Sequence, residues 1–205
     1  ELLLPGTISA LSTAMSAVSG VGEIIVVDNN SKDQTAAVAR AAGAKVVFEP
    51  VNRISTSRNA GAAAAQGKWL FFVDADTIIP PDLLDQAMKA LAGGQVGGGG
   101  ACIRFGLDGP AAHPRMLRLW NWISRFFQLA AGSFIFCIRE GFDEVGGFSD
   151  KVYAGEEILF SRQYKRWCRR RGLGFHVFSH PPVVTSARKL QWYSPIRLAV
   201  TFFFF

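Results

Sequence analysis

Trp69-Leu70-Phe71-Phe72-Val73-Asp74-Ala75-Asp76 sets five apolar residues directly against two carboxylates with one residue between them. A continuous apolar run of this length suits a strand buried on both faces, as in a parallel sheet covered by helices. An acid at the end of such a strand lies where a doubly wound sheet opens its ligand crevice. Side-chain alternation along the strand sends Asp74 and Asp76 to the same side and Ala75 to the other. Two carboxylates so placed repel unless a positive group intervenes, and a hard divalent cation carrying phosphate oxygens answers that need. The alternative is a strand that ends in a solvated polar turn, where acids are common.

The rest of the chain reads as a frame for this stretch. Its 205 residues suffice for one domain with a real core, and 49% hydrophobic against 19% charged residues excludes a disordered chain. A net charge of +6 favours anionic partners such as nucleotides, phosphates or an acidic membrane surface; no nucleic-acid partner is expected. Cys102, Cys137 and Cys168 are too few and too scattered for a disulfide framework or a zinc motif, which points to a reducing compartment. No run of 18 apolar residues is long enough to span a bilayer.

Helical periodicity is expected from Pro5 to Val18, followed by a second acid-terminated strand, Glu23 to Asp28. Ser31 to Thr35 supplies capping chemistry for a helix through Ala42, and Lys45 to Phe48 is a short strand. Ser55 to Gln66 is an Ala-rich helix slim enough to lie close to a sheet or ligand, and Pro80-Pro81-Asp82 starts a helix reaching Leu91. The glycines at 93, 94 and 97 to 100 lack the Lys-Ser/Thr of a phosphate loop and do not form GxGxxG. They read as a flexible edge or a place where a ligand approaches the backbone.

Between His113 and Ala130, Met116, Leu119, Trp120, Ile123, Phe126 and Phe127 cluster on one helical face, with Arg115, Arg118 and Arg125 opposite. Two readings stand: a helix lying on anionic lipid, which Trp122 on the basic side favours, or a core-facing helix with a solvated basic side. Gly132 to Ile138 is a strand, and Gly155-Glu156-Glu157 opens a helix to Arg171 whose far end is strongly basic.

In this order, the motifs resemble those of the family 2 glycosyltransferases. Ile25-Val26-Val27-Asp28-Asn29-Asn30-Ser31-Lys32-Asp33-Gln34-Thr35 resembles that family's IVVDDGSTDGT, Ser57-Arg58-Asn59-Ala60-Gly61 with Ala65-Gln66-Gly67 its ARNxG and AxG, and Asp74-Ala75-Asp76 its DxD. Val145-Gly146-Gly147-Phe148 and Gly155-Glu156-Glu157 are similar to its GGF and ED elements. The resemblance implies an α/β GT-A fold, a Rossmann-like mostly parallel sheet with helices on both faces. It implies one domain over residues 1–205, with a nucleotide-sugar-binding half to 105, an acceptor half to 190 and a membrane-proximal segment over 191–205.

The roles carried over are specific. Asp28 would read the base, expected to be uracil, and Arg58 would lie near the base or diphosphate. Asp74 would bind the ribose hydroxyls, and Asp76 would coordinate Mg²⁺ or Mn²⁺. Glu157 matches the acid that serves as base in an inverting transfer, with Glu156 beside it as the other candidate. Asn30 joins the nucleotide ligands, although Asn29 and Asn30 stand where the family has Asp and Gly, which bears on base selectivity. Thr185 to Trp192 resembles a basic, aromatic segment that closes over the diphosphate in some members, which would place Arg188 and Lys189 there; the alternative is a basic surface loop. His176 and His180 are read as structural histidines before metal ligands.

The family pattern begins with a strand and an Asn-Glu pair, and Glu1 aligns with the end of that pair, so the first strand is expected to lie outside this stretch. The Phe-rich end, Phe202 to Phe205, is expected to lead into a further apolar segment. The expected activity is transfer of a sugar from a nucleoside-diphosphate sugar to a glycan or lipid-linked acceptor. The expected setting is the cytoplasm, peripheral at the inner face of the cell membrane. The competing expectation is a degenerate transferase domain acting as a membrane-attached scaffold.

Overall fold

The computed structural model describes residues 2–106, 114–152 and 155–186. Among these the elements run α1 (Leu4–Ser16), β1 (Ile25–Asp28), α2 (Thr35–Ala41), β2 (Lys45–Phe48), α3 (Ile54–Ala64), β3 (Trp69–Val73) and β4 (Thr77–Ile78). They continue with α4 (Pro81–Ala92), β5 (Val96–Phe105), α5 (Pro114–Phe127), β6 (Phe134–Ile138), α6 (Arg139–Glu144), α7 (Glu156–Arg170) and β7 (Gly174–Thr185).

The β3 run behaves as its composition requires. It pairs antiparallel with β6, Phe72 opposite Ile135, in a five-stranded sheet ordered β3-β6-β5-β7-β4. Period-two alternation then divides its side chains between two cores. Leu70 and Phe72, with Ile135 and Cys137, pack against Phe142 of α6 and Phe160, Tyr164 and Trp167 of α7. Trp69, Phe71 and Val73 turn to the other face, where Phe134 and Phe136 meet Leu83, Leu84, Ala87 and Leu91 of α4 and Ala14 of α1.

The α/β class with helices on both faces is as expected. The pairing is more mixed than a mostly parallel sheet. β1 with β2 and β5 with β7 are parallel, whereas β3 with β6, β6 with β5 and β4 with β7 are antiparallel. Parallel neighbours need a crossover, which α2 provides for the first pair and the chain through α5, α6 and α7 for the second. The long strand β7, the two-residue β4 and the short α6 had no expectation in the sequence.

Two expectations are corrected by packing. The glycines at 97 to 100 are no flexible edge: they are buried in β5, inside the sheet. A Cβ on Gly99 would lie 1.8 Å from the His176 carbonyl oxygen, and one on Gly98 would lie 2.7 Å from that of Phe136 and 2.8 Å from the Tyr164 ring. Absence of side chains lets β6, β7 and α7 close on β5. The buried Tyr164 hydroxyl profits from this closeness, donating to Gly97 O at 2.8 Å and accepting from Ile138 N–H at 2.9 Å.

Helix α5 presents a different face to the protein than its apolar periodicity suggests. Its inward side is mixed: the Asn121 amide brackets the Ile103 backbone, accepting its N–H at 3.0 Å and donating to its C=O at 2.9 Å, buried Ser124 donates to Leu129 O at 2.6 Å, and Leu117, Trp120 and Ile123 are partly buried beside them. Leu119, Trp122, Phe126 and Phe127 are exposed. The core-facing reading fails for Leu119, Phe126 and Phe127, while Trp120 and Ile123 are partly buried and Arg118 and Arg125 are exposed as it expects; backbone groups left open on β5 are satisfied better by an amide than by a phenyl ring.

Candidate active site

Helix α3 brings the first functional group into place. Small residues let it approach β1 closely, so that a Cβ on Gly61 would meet Val27 at 3.1 Å. The neighbouring Asn59 uses both ends of its amide on one residue of the GGF loop, accepting from Phe148 N–H at 2.9 Å and donating to Phe148 O at 2.8 Å. Arg139 of α6 fastens the other end of α3, donating to the carbonyls of Ala62, Ala65 and Gly67 at 2.8 to 3.0 Å. Neither Asn59 nor Arg139 was singled out in the sequence, although Asn59 lies inside the quoted ARNxG motif.

So held, Arg58 sits 10% exposed at the junction of three segments. Its guanidinium bonds the Glu156 carboxylate at 2.8 Å, the Asp74 carboxylate at 3.2 Å and the Gly132 carbonyl at 2.9 Å, and lies 5.1 Å from the centre of the Phe148 ring. The planar fork suits this multi-point contact, and a buried carboxylate such as Glu156 needs a cation of this kind. Arg58, expected near the base or diphosphate, joins the DxD turn to the first turn of α7.

Glu156 and Glu157 open α7 behind Gly155, whose φ of 83° is the left-handed conformation that glycine adopts freely. Glu156 is buried on Arg58, while Glu157 is half-buried. Burial pushes the Glu157 carboxyl up from its ordinary 4.5 to about 7; the adjacent charge of Glu156 adds to this and Arg58 opposes it. Three carboxylates, Asp74, Glu156 and Glu157, thus share the field of one guanidinium.

Asp74 and Asp76 do not continue a strand. β3 stops at Val73, and Thr77 N–H bonds Asp74 O at 3.0 Å in a tight turn, so alternation no longer applies. The Thr7 hydroxyl of α1 steadies this turn through Ala75 O at 3.0 Å. Asp74 meets Arg58, whereas Asp76 accepts from the Thr185 hydroxyl of β7 at 3.4 Å, and Thr185 also bonds Thr77 at 3.1 Å. The half-buried Asp76 carboxylate is a hard oxygen donor that fits Mg²⁺ or Mn²⁺, and no group of three or more His, Cys, Asp or Glu among the described residues forms an all-protein cage. The donor set suits a cation completed by phosphate oxygens and water.

Asp28 and Asn30 lie in a separate turn at the end of β1. Asp28 accepts from Ser31 N–H at 3.0 Å; Asn30 takes the left-handed conformation, φ 57°, and accepts from Lys32 Nζ at 3.4 Å. Asn29 is structural, its amide donating to Glu49 O and Val51 O. His176 and His180 are exposed on β7. Arg188 and Lys189 lie outside the described residues, as does the membrane-proximal segment 191–205.

Residues 9–143 match the family described as Glycosyl transferase family 2. The chain is 39% identical over 67 residues, 33% of its length, to an uncharacterized glycosyltransferase of Mycobacterium tuberculosis, of which that segment is 31%. The curated relatives it matches are covered over only 14 to 31% of their own length. The fold superposes on TarS of S. aureus with a TM-score of 0.66 at 18% identity, covering 90% of this chain and 58% of that one. It also superposes on glucosyl-3-phosphoglycerate synthase of Mycobacterium tuberculosis, in complex with Mn²⁺, UDP and glucosyl-3-phosphoglycerate, with a TM-score of 0.64 at 22% identity, covering 93% and 71%. With its GT-A fold and the family model matched over residues 9–143, this chain belongs to glycosyl transferase family 2.

Proposed function

We propose that this chain is the catalytic domain of an inverting, metal-dependent glycosyltransferase. It moves a sugar from a UDP-sugar to a glycan or lipid-linked acceptor, and works in the cytoplasm as a peripheral protein at the inner face of the cell membrane. The observation that carries this reading is the Arg58 bridge, which joins the DxD turn at Asp74 to the acids of α7 at Glu156. Residues 1–105 form the donor half and residues 106–190 the acceptor half. UDP and Mn²⁺ are bound by the structurally similar glucosyl-3-phosphoglycerate synthase, which supports the same donor chemistry here.

In this reading Asp28 and Asn30 hold the base, Asp74 the ribose and Asp76 a divalent cation, Mg²⁺ or Mn²⁺. Such a cation, when bound, neutralises charge on the diphosphate as the sugar bond breaks. The resemblance of Thr185 to Trp192 to the family's basic, aromatic segment supports assigning Arg188 and Lys189 to the diphosphate. Glu157 removes the acceptor hydroxyl's proton while that oxygen attacks the anomeric carbon, and the bond to the diphosphate breaks on the opposite face. A carboxyl whose pKa lies near 7 is matched to this task at neutral pH. Glu156 is committed to Arg58 and acts as its anchor, which distinguishes the two neighbouring acids.

The deciding experiment titrates UDP with Mn²⁺ into wild type and Asp76→Ala and follows transfer by Glu157→Gln. Expected are weakened nucleotide binding in the first variant, and retained binding with lost transfer in the second. Equal binding by wild type and Asp76→Ala would overturn the donor-site assignment, and unchanged transfer by Glu157→Gln would overturn the base. A scaffold that has lost catalysis would show no donor turnover dependent on Asp76.

A further inference from the structure

Helix α5 carries a surface that the transfer chemistry does not use. Its outward arc runs from Arg125 and Arg118 through Trp122 to Phe126 and Leu119, and Phe127 stands exposed at its end. The rings form a continuous cluster: Trp122 stacks on Phe126 at 5.3 Å, and Phe126 meets Phe127 edge-on at 5.0 Å. Trp122, Phe126, Phe127 and Leu119 are each more than half exposed, an unusual concentration of large apolar groups on the outside of one helix.

Helix α7 adds charge at the same place. Lys165 donates to Phe127 O at 2.5 Å, which brings α7 against the end of α5; burial lowers the Lys165 pKa, and the nearby charges of Arg162 and Arg169 lower it further. Arg162, Arg166 and Arg169 are exposed. There is no acidic residue in α5 and none in α7 beyond Glu157, so the surface is an aromatic strip bordered on both sides by cations.

We infer that this α5–α7 face docks on an anionic phospholipid bilayer, with Trp122, Phe126 and Phe127 entering the headgroup boundary and the arginines on lipid phosphates. An uncharged apolar partner would leave the cations unpaired. A second copy would bring two sets of arginines together with no acid to receive them. A bilayer surface accepts both features, since aromatic rings favour the interface and each basic residue gains from anionic headgroups. No helix among the described residues is long and apolar enough to cross a membrane, so a shallow contact of this kind is what the described surface offers. The inference rests on the peripheral placement proposed above and is independent of the base and metal assignments.

The test is sedimentation of the full chain with phosphatidylcholine vesicles, with and without phosphatidylglycerol, at low and high salt. Salt-sensitive binding is expected only with phosphatidylglycerol. Arg118→Glu with Arg125→Glu should weaken it about tenfold or more, as should Trp122→Ser with Phe126→Ser. Brominated acyl chains should quench tryptophan fluorescence in wild type and much less in Trp122→Phe. UDP binding and the melting temperature should stay at wild-type values in all variants, because these side chains point away from both cores. Binding that survives both double variants would overturn the inference while sparing the peripheral placement, since another segment would then be the anchor. Absence of binding to either vesicle would overturn both. Lipid-independent dimerisation abolished by Trp122→Ser with Phe126→Ser would overturn the inference in favour of a second copy.

Discussion

Arg58 and Glu156 lie 98 residues apart in the chain and share a 2.8 Å ion pair in which both side chains are at least nine-tenths buried. The pair joins the middle of α3 to the first turn of α7, and through Asp74 it reaches the DxD turn as well. Removing the cation leaves two carboxylates and the Gly132 carbonyl without their shared donor. Arg58→Met should therefore cost about 3–5 kcal/mol of stability, measured by urea unfolding, because a buried charge loses its partner. Arg58→Lys should recover part of this, since one ammonium cannot reproduce the fork. A cost under about 1 kcal/mol for Arg58→Met would show that water replaces the guanidinium without strain.

Glu157 gives a pH dependence of defined sign. Its folded pKa of about 7 lies above the ordinary 4.5, so between these values the folded chain holds more of this proton than the unfolded one. Stability from this group therefore falls as pH rises from 4.5 towards 7 and changes little beyond. Glu157→Gln should remove that decline, read as a flatter plot of melting temperature against pH. Transfer should rise with pH through about 7 as the base loses its proton, and a rate constant from pH 5 to 8 would contradict the assignment.

Asn59 is expected to act on the loop that carries Phe148 through structure. Asn59→Ala removes both bonds to Phe148 and should cost about 1–3 kcal/mol. Gly147, with φ 68°, is next to this clamp, so the loop that carries Phe148 beneath Arg58 should loosen. Hydrogen exchange at the Phe148 amide should accelerate in the variant and leave the Tyr164 region unchanged.

Two glycine substitutions should differ in sign. In Gly99→Ala the new Cβ would stand 1.8 Å from the His176 carbonyl, so β5 and β7 must part; loss of about 3 kcal/mol or failure to fold is expected. In Gly6→Ala, within α1, nothing lies within 4 Å, and a gain of about 0.5–1 kcal/mol is expected from helix propensity. Thermal denaturation of the two variants side by side measures the contrast.

The two-faced burial of β3, the helices that cover it and the series of family motifs were legible in the residues themselves. Hydrophobic period and motif order are local properties, carried by Trp69 to Val73 or by Ser57 to Gly61 whatever lies around them. Asp74, Asp76 and Glu157 could be picked out in the same way, as acids at the ends of elements.

The partners of those residues were decided only by the tertiary structure. Arg58 could not be placed against Glu156 from spacing, because their contact depends on how α3 and α7 meet across the sheet. The glycines at 97 to 100 look permissive in sequence, yet they are the points where neighbouring strands and Tyr164 close most tightly. Helix α5 shows the same limit: periodicity locates an apolar stripe, but the open backbone groups of Ile103 turn Asn121 inward and leave Trp122 and Phe126 outside. Local sequence determined which segments form and where their acids fall; long-range hydrogen bonding and steric fit determined which faces are buried and which charges meet, since those energies belong to pairs of residues distant in the chain.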